Sequence, residues 1–282
     1  MENKVSTISD HAYNDDNFSY ASPNDSRTKQ WLIKGVERIT GARHLLRIYR
    51  QLKKENSDPF NFWERALQRL DIKIDYDQAQ LEKIPRQGPV IIIANHPFGL
   101  VDGAILLHLT TRIRKDYFLL INEMLAREPF LKDHLLPVDF NETPQALATN
   151  LETRQLTSER LRRGEALVIF PGGGVATIKR LGGPAEEFPW RPFIAGKIHE
   201  NKCPVVPMYF HGINSPLFHI VSKLSMTLRL GLLIREVLNK RGQTIKVNIG
   251  DPIPYEAMKP YRKRAELIHF LQESTFALRD EL

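Results

Sequence analysis

The sequence predicts an α/β domain whose central strands are covered by helices on both faces. Two observations carry this reading. Short apolar runs of strand length recur at Val90-Ile91-Ile92-Ile93-Ala94, Tyr117-Phe118-Leu119-Leu120, Ala166-Leu167-Val168-Ile169-Phe170 and Pro204-Val205-Val206-Pro207-Met208-Tyr209-Phe210, and segments of helical period lie between them. With 282 residues, 42% of them apolar and 26% charged, the chain can bury a sizeable core as one large domain or two small ones.

Taken in order, residues 1–26 are rich in Asn, Asp and Ser and read as a mobile or loosely docked N-terminal arm, with Tyr13, Phe18 and Tyr20 able to dock it. A helical pattern begins at Asp25-Ser26 and carries Trp31, Leu32, Val36, Ile39, Leu45, Leu46, Tyr49 and Leu52 on one face. Arg47, Arg50, Lys53 and Lys54 interleave with it. That pattern fits either a helix lying on anionic lipid or a surface helix packed on its own domain. Residues 27–75 thus form an N-terminal segment of amphipathic helices, with a second helix starting at Asn61, and residues 76–282 form the main domain. Within that domain helices are expected from about Gly103 to Thr111, Leu147 to Arg163 and Phe193 to Glu200. A last strand, Thr244 to Gly250, alternates polar and apolar residues and precedes a C-terminal helix. Residues 215–240 mix Leu217, Phe218, Leu228 and Leu233 with Lys223, Arg229 and Arg235; they suit core packing, contact with a bilayer or the lining of an acyl-chain groove.

The formal net charge of +7 implies an anionic partner. The basic clusters at Arg47–Lys54 and Arg160–Arg163 stand beside Leu-rich segments rather than among exposed aromatics, which favours an anionic membrane surface over nucleic acid. Cys203 is the single cysteine, so an internal disulfide framework and a multi-cysteine zinc site are excluded. The N-terminus lacks a signal-peptide pattern, and no run of about 18 apolar residues occurs. Membrane contact is therefore expected to be peripheral.

Two segments can carry chemistry. The first is Asn95-His96-Pro97-Phe98-Gly99-Leu100-Val101-Asp102, directly after a buried strand. Asp102 lies too far along for one helical face, but a turn through Pro97 and Gly99 can fold its carboxylate back onto the His96 imidazole. There it would fix the tautomer and stabilise the imidazolium of a general base. The second is Phe170-Pro171-Gly172-Gly173-Gly174, where backbone N–H groups can approach an anion closely, followed by Lys179 and Arg180 as possible anion contacts. It fits neither a P-loop nor a dinucleotide fingerprint.

With these residues in hand, the sequence resembles the PlsC-like glycerolipid (lysophospholipid) acyltransferase family, on its bacterial hemolysin-like and ornithine-lipid branch, over roughly residues 28–260. The family's first motif maps to Asn95, His96 and Asp102, with five residues inside the His–Asp pair instead of the commoner four. Its Phe-Pro-Glu-Gly motif maps to Phe170-Pro171-Gly172-Gly173; the glutamate is Gly172 here, and the arginine three residues later is Val175. Its second motif corresponds loosely to Leu136-Pro137-Val138-Asp139-Phe140, without the arginine, and its fourth matches Val206-Pro207-Met208-Tyr209.

The resemblance implies a central mixed sheet flanked by helices, with 76–282 as the acyltransferase domain. It also implies transfer of a fatty acyl group from acyl-CoA or acyl-ACP to a hydroxyl of a lysolipid, at the cytoplasmic face of the inner membrane, with no bound cofactor and no metal. His96 and Asp102 would be catalytic, and Asn95, Gly99, Phe170, Pro171, Gly172, Gly173, Gly174, Lys179 and Arg180 would line the substrate site. In the family the missing Glu and Arg are associated with the acceptor's phosphate, so a different headgroup is expected. The rival readings are a non-catalytic peripheral module that binds anionic membrane lipids, and a metal site joining His96 and Asp102 to His108 or His211.

Overall fold

The computed structural model describes residue 27 and residues 41–55, 58–122, 129–141, 143–178, 183–222 and 226–280. The expected arm at 1–26, the helical pattern through Ile39, and Lys179 and Arg180 lie outside the described residues, apart from Arg27.

Helices α1 (Ala42–Lys54) and α2 (Pro59–Arg69) lead into a short strand, β1 (Lys73–Asp75), and a one-turn helix, α3 (Gln78–Glu82). The domain continues as β2 (Val90–Ala94), α4 (Leu100–Ile113), β3 (Tyr117–Asn122), β4 (Leu135–Val138), α5 (Pro144–Arg162) and β5 (Ala166–Ile169). A small hairpin of β6 (Thr177–Ile178) and β7 (Ala185–Glu186) follows, then α6 (Phe193–Asn201) and β8 (Val205–Phe210). Helices α7 (Pro216–Ser222) and α8 (Met226–Asn239), strand β9 (Thr244–Ile249), α9 (Tyr255–Met258) and α10 (Arg264–Ala277) complete the domain.

Seven strands form one mixed sheet in the order β1-β9-β8-β2-β5-β3-β4. The strands from β8 to β4 run parallel, whereas β9 pairs antiparallel with β8 and carries β1 beside it. Every residue of β2 is buried. Val90, Ile92 and Ala94 face a core shared with α1, α2 and α4, and Ile91 and Ile93 face a second core built with α6 and α10. This two-sided burial is why the strand reads as an unbroken apolar run.

Several boundaries differ from those read in the sequence. Helix α4 starts at Leu100 rather than Gly103, because Gly99 turns the chain at φ 98° and Asp102 falls in the first helical turn, where its carboxylate takes the Phe98 and Gly103 N–H groups. Helix α5 starts at Pro144, where the Thr143 hydroxyl accepts the Ala146 N–H and proline occupies a position that needs no donor. Strand β1, three residues at the sheet edge, is too short to show a period of two.

In α1 the apolar face is used inside the protein. Ile48 and Leu52 are buried in the first core, and Arg43, Arg47, Arg50, Lys53 and Lys54 are left exposed. This is the surface helix packed on its own domain, not one with its apolar face free for lipid. Residues 215–240 resolve into α7 and α8, whose Phe218, Leu232 and Leu233 cluster with Val175 of the glycine loop.

Arg114 anchors the end of the sheet where the parallel strands begin. It is buried, and its guanidinium makes five hydrogen bonds: two to the Asp116 carboxylate, and one each to the carbonyls of Pro85, Gly88 and Gly164. All five of its N–H donors are matched. Cys203, just before β8, is fully buried, and burial pushes its thiol up to about 12. We expect native protein at pH 8 to resist alkylation by iodoacetamide and denatured protein to react with one equivalent, as read by intact mass; rapid labelling of the native form would contradict this packing.

Candidate active site

Strands β5, β2 and β8 are neighbours in the sheet and parallel, so their carboxyl ends open on the same edge. The chain leaves β2 into Asn95-His96, leaves β5 into Phe170 and the glycine loop, and leaves β8 into His211. Segments far apart in sequence are therefore brought together by topology alone.

Asn95 is buried, and its amide clasps the end of β8 by donating to the Phe210 carbonyl at 2.9 Å and accepting the Phe210 N–H at 2.6 Å. That bond pair fixes the backbone immediately before His96. Gly99 allows the turn that follows. At φ 98° its conformation disfavours any side chain, and a Cβ there would stand 2.8 Å from Leu233 and 3.1 Å from Val175.

The turn carries Asp102 back beneath the histidine. His96 Nδ1 lies 3.1 Å from Asp102 Oδ2, the carboxylate fully buried and the imidazole largely so. The approach is close enough for an ion pair but off line for a hydrogen bond, since Nδ1 has no hydrogen-bond partner and Oδ2 receives the Phe98 N–H at 2.8 Å. A small rotation of the ring aligns the pair, and catalytic contacts are often loose before substrate binds. The other face of the ring stacks on Phe170, with centroids 3.9 Å apart at 19°.

The glycine loop lies alongside. The Gly173 N–H closes a turn onto the Phe170 carbonyl at 2.9 Å, and the Ala176 N–H donates to the His96 carbonyl at 2.8 Å. Among the described residues the Gly172 and Gly174 N–H groups have no acceptor. Phe140 and Phe188 flank the loop. A Cβ at Gly173 would meet the Phe140 ring at 3.4 Å, and one at Gly174 would meet the Phe188 ring at 3.0 Å.

Glu187 is a functional candidate that the sequence reading missed. One carboxylate oxygen accepts the His96 backbone N–H, and the other accepts the Trp190 indole N–H at 2.6 Å. Desolvation pushes its pKa up, against the lowering effect of those two hydrogen bonds. The side chain comes close to Gly172, where a Cβ would lie 3.7 Å from Glu187 Oε2 and 3.1 Å from the Phe188 carbonyl. The glycine at 172 therefore lets the Phe188 backbone pack closely, and Glu187 brings a carboxylate beside it from a different segment. Nothing in local spacing ties Glu187 to His96, 91 residues earlier; its setting in Pro184-Ala185-Glu186-Glu187-Phe188-Pro189-Trp190, an acid among aromatics and prolines, was the available hint.

Both partners of Glu187 are donors, and an amide can accept from only one of them without turning N–H against N–H. Glu187→Gln is thus expected to lose about 1–3 kcal/mol of stability and to slow turnover by letting the His96 backbone drift. Because the folded carboxyl is raised, its linkage contribution is complete below the unfolded pKa and is lost as pH rises through the folded one. The Tm of wild type relative to Glu187→Gln should therefore fall with rising pH across that window, and a constant difference would refute the assignment.

Comparison with known proteins places the chain in a family. A family model described as "Acyltransferase" matches residues 30–282. The chain is 24% identical over 231 residues to a lyso-glycine lipid O-acyltransferase of Phocaeicola vulgatus, covering 79% of this chain and 80% of the relative. It is 23% identical over 227 residues to the protein of the same name from Bacteroides thetaiotaomicron, covering 77% and 79%. The crystal structure of the 1-acyl-sn-glycerophosphate acyltransferase PlsC from Thermotoga maritima superposes with a TM-score of 0.51 at 13% identity, over 89% of this chain and 95% of that one, a likeness of fold. With the family model spanning the sheet, the His96–Asp102 turn and the glycine loop, the chain belongs to the acyltransferase family.

Proposed function

We propose that the protein transfers a fatty acyl group from an acyl thioester, carried by coenzyme A or acyl carrier protein, to a hydroxyl of a lysolipid at a membrane surface. The observation that carries this reading is the His96–Asp102 contact of 3.1 Å at the carboxyl end of β2, beside the glycine loop. With Nδ1 turned to Asp102, Nε2 of His96 takes the proton of the lipid hydroxyl as its oxygen attacks the thioester carbon. The oxyanion formed there is met by preorganised donors, for which the Gly172 and Gly174 N–H groups are the candidates. Collapse breaks the carbon–sulfur bond, the departing thiolate takes the proton back from the imidazolium, and an ester and a free thiol leave. In this scheme Asn95 and Glu187 hold the His96 backbone from either side, and Lys179 and Arg180 contact the donor's or acceptor's phosphates.

The names of the two relatives support a lyso-glycine lipid as acceptor, and the resemblance to the ornithine-lipid branch supports a lyso-ornithine lipid, over lysophosphatidate. No helix among the described residues is long and apolar enough to cross a membrane. Phe140 and Phe188 at the glycine loop, with Leu217 and Ile220 on α7, are exposed large apolar side chains that suit peripheral contact. The proposed setting is the cytoplasmic face of the inner membrane, where a thioester donor can meet a lysolipid.

The test is to offer purified protein labelled acyl-CoA and acyl-ACP with a panel of lysophosphatidate, lyso-ornithine lipid, lyso-glycine lipid and an amine acceptor, and to identify products by mass. An O-acylated lysolipid is the expected result. Liposome binding without any acyl transfer would overturn the reading in favour of a binding module.

A further inference from the structure

The described part of the chain buries two arginines almost completely, and they differ in one respect. Arg114 has all five donors matched by five acceptors. Arg229, on the first turn of α8 and 8% exposed, makes one hydrogen bond, from a terminal nitrogen to the Val175 carbonyl at 2.7 Å. No carboxylate pairs with it among the described residues. Its guanidinium also lies over two aromatic faces, Phe188 at 5.4 Å and Phe218 at 5.9 Å from the guanidinium carbon. Such faces offset part of the cost of burying the charge and hold the guanidinium plane, but they accept no conventional hydrogen bond.

The location is as informative as the vacancy among its donors. Val175 precedes Ala176, whose N–H holds the His96 carbonyl; Phe188 follows Glu187, whose carboxylate holds the His96 N–H. Arg229 therefore rests on the two segments that grip the catalytic histidine, against the loop in which Gly174 keeps a free N–H. Desolvation lowers its pKa, as expected of a cation that has surrendered water without gaining a counter-ion.

We propose that Arg229 binds the oxyanion headgroup of the acceptor lipid, a phosphate or a carboxylate, and positions its hydroxyl toward His96. The guanidinium fork suits both groups, which accept two parallel N–H bonds. The loop provides no cation at position 175, where valine stands, and the charge arrives on that residue's carbonyl from α8 instead. This proposal rests on the lysolipid acyl-transfer reading above.

The test uses full-length protein with acyl-CoA and four acceptors in two matched pairs: lysophosphatidate and monoacylglycerol, and lyso-glycine lipid and its neutral carboxamide. Arg229→Met is expected to raise KM for the charged member of a pair about 10–100-fold more than for its neutral counterpart. The pair that shows the split identifies phosphate or carboxylate as the headgroup. Arg229→Lys, which keeps the charge and loses the fork, should give a smaller split in the same pair and serves where the methionine variant fails to fold. Equal effects on charged and neutral acceptors, or none on either, would make Arg229 a strut between α8 and the loop and overturn the proposal. A wild-type protein that acylates none of the four, nor lyso-ornithine lipid, from either acyl-CoA or acyl-ACP overturns the acyl-transfer reading itself.

Discussion

Replacing His96 with alanine is expected to reduce acyl transfer by about 10²–10⁴-fold, the usual contribution of a positioned general base, with little change in Tm. The ring stacks on Phe170 and approaches Asp102, but its Nδ1 makes no hydrogen bond in the resting protein, so its removal leaves the Asp102 carboxylate with both of its backbone N–H bonds in place. The decisive measurement is kcat/KM with a saturating acyl thioester alongside a thermal melt. Turnover near the wild-type level in folded protein would remove His96 from the mechanism.

The second large effect is expected at Asp102. Its carboxylate is fully buried and carries three contacts: the His96 ring at 3.1 Å, the Phe98 N–H at 2.8 Å and the Gly103 N–H at 2.9 Å. All three present N–H groups or a ring nitrogen that becomes one. Asp102→Asn keeps the shape but offers one acceptor oxygen, so at least one N–H faces the new amide nitrogen, at about 1–3 kcal/mol. The amide also cannot stabilise an imidazolium, and the rate should fall by up to about 10⁴-fold, as for the equivalent change in a serine protease triad. Both Tm and rate are expected to drop, unlike His96→Ala, where the rate falls alone. A rate loss under tenfold would show that the carboxylate serves the turn rather than the base.

The sheet and the position of His96 were legible in the sequence because both follow from local composition. A strand buried on two faces must be apolar throughout, as Val90–Ala94 is, and the first residues past its carboxyl end must lie on the edge where parallel sheets place their ligands. The return of Asp102 to His96 was also readable, since Gly99 and Pro97 announce a turn. Partners supplied by the tertiary fold were hidden. Glu187 and Arg229 reach the glycine loop from a post-hairpin segment and from α8, and only the packing of those elements brings them there. The loss of Glu and Arg from the loop, at Gly172 and Val175, looked like a loss of charge; the structure places one carboxylate and one guanidinium against those same residues from elsewhere. The amphipathic α1 was ambiguous for a related reason: lipid and a protein core select the same apolar stripe, and only the neighbours distinguish them.

The Arg114 clamp sits at the opposite pole of the sheet from the chemistry, tying together the segments that enter β2, β3 and β5. Durability and reactivity are thereby assigned to different ends of the same strands. An ancestor could retailor the mouth for a new lipid, or a protein engineer could randomise it, without loosening the staple that keeps the strands in register. Conversely, hardening the protein against heat can begin at the clamp end with little risk to turnover.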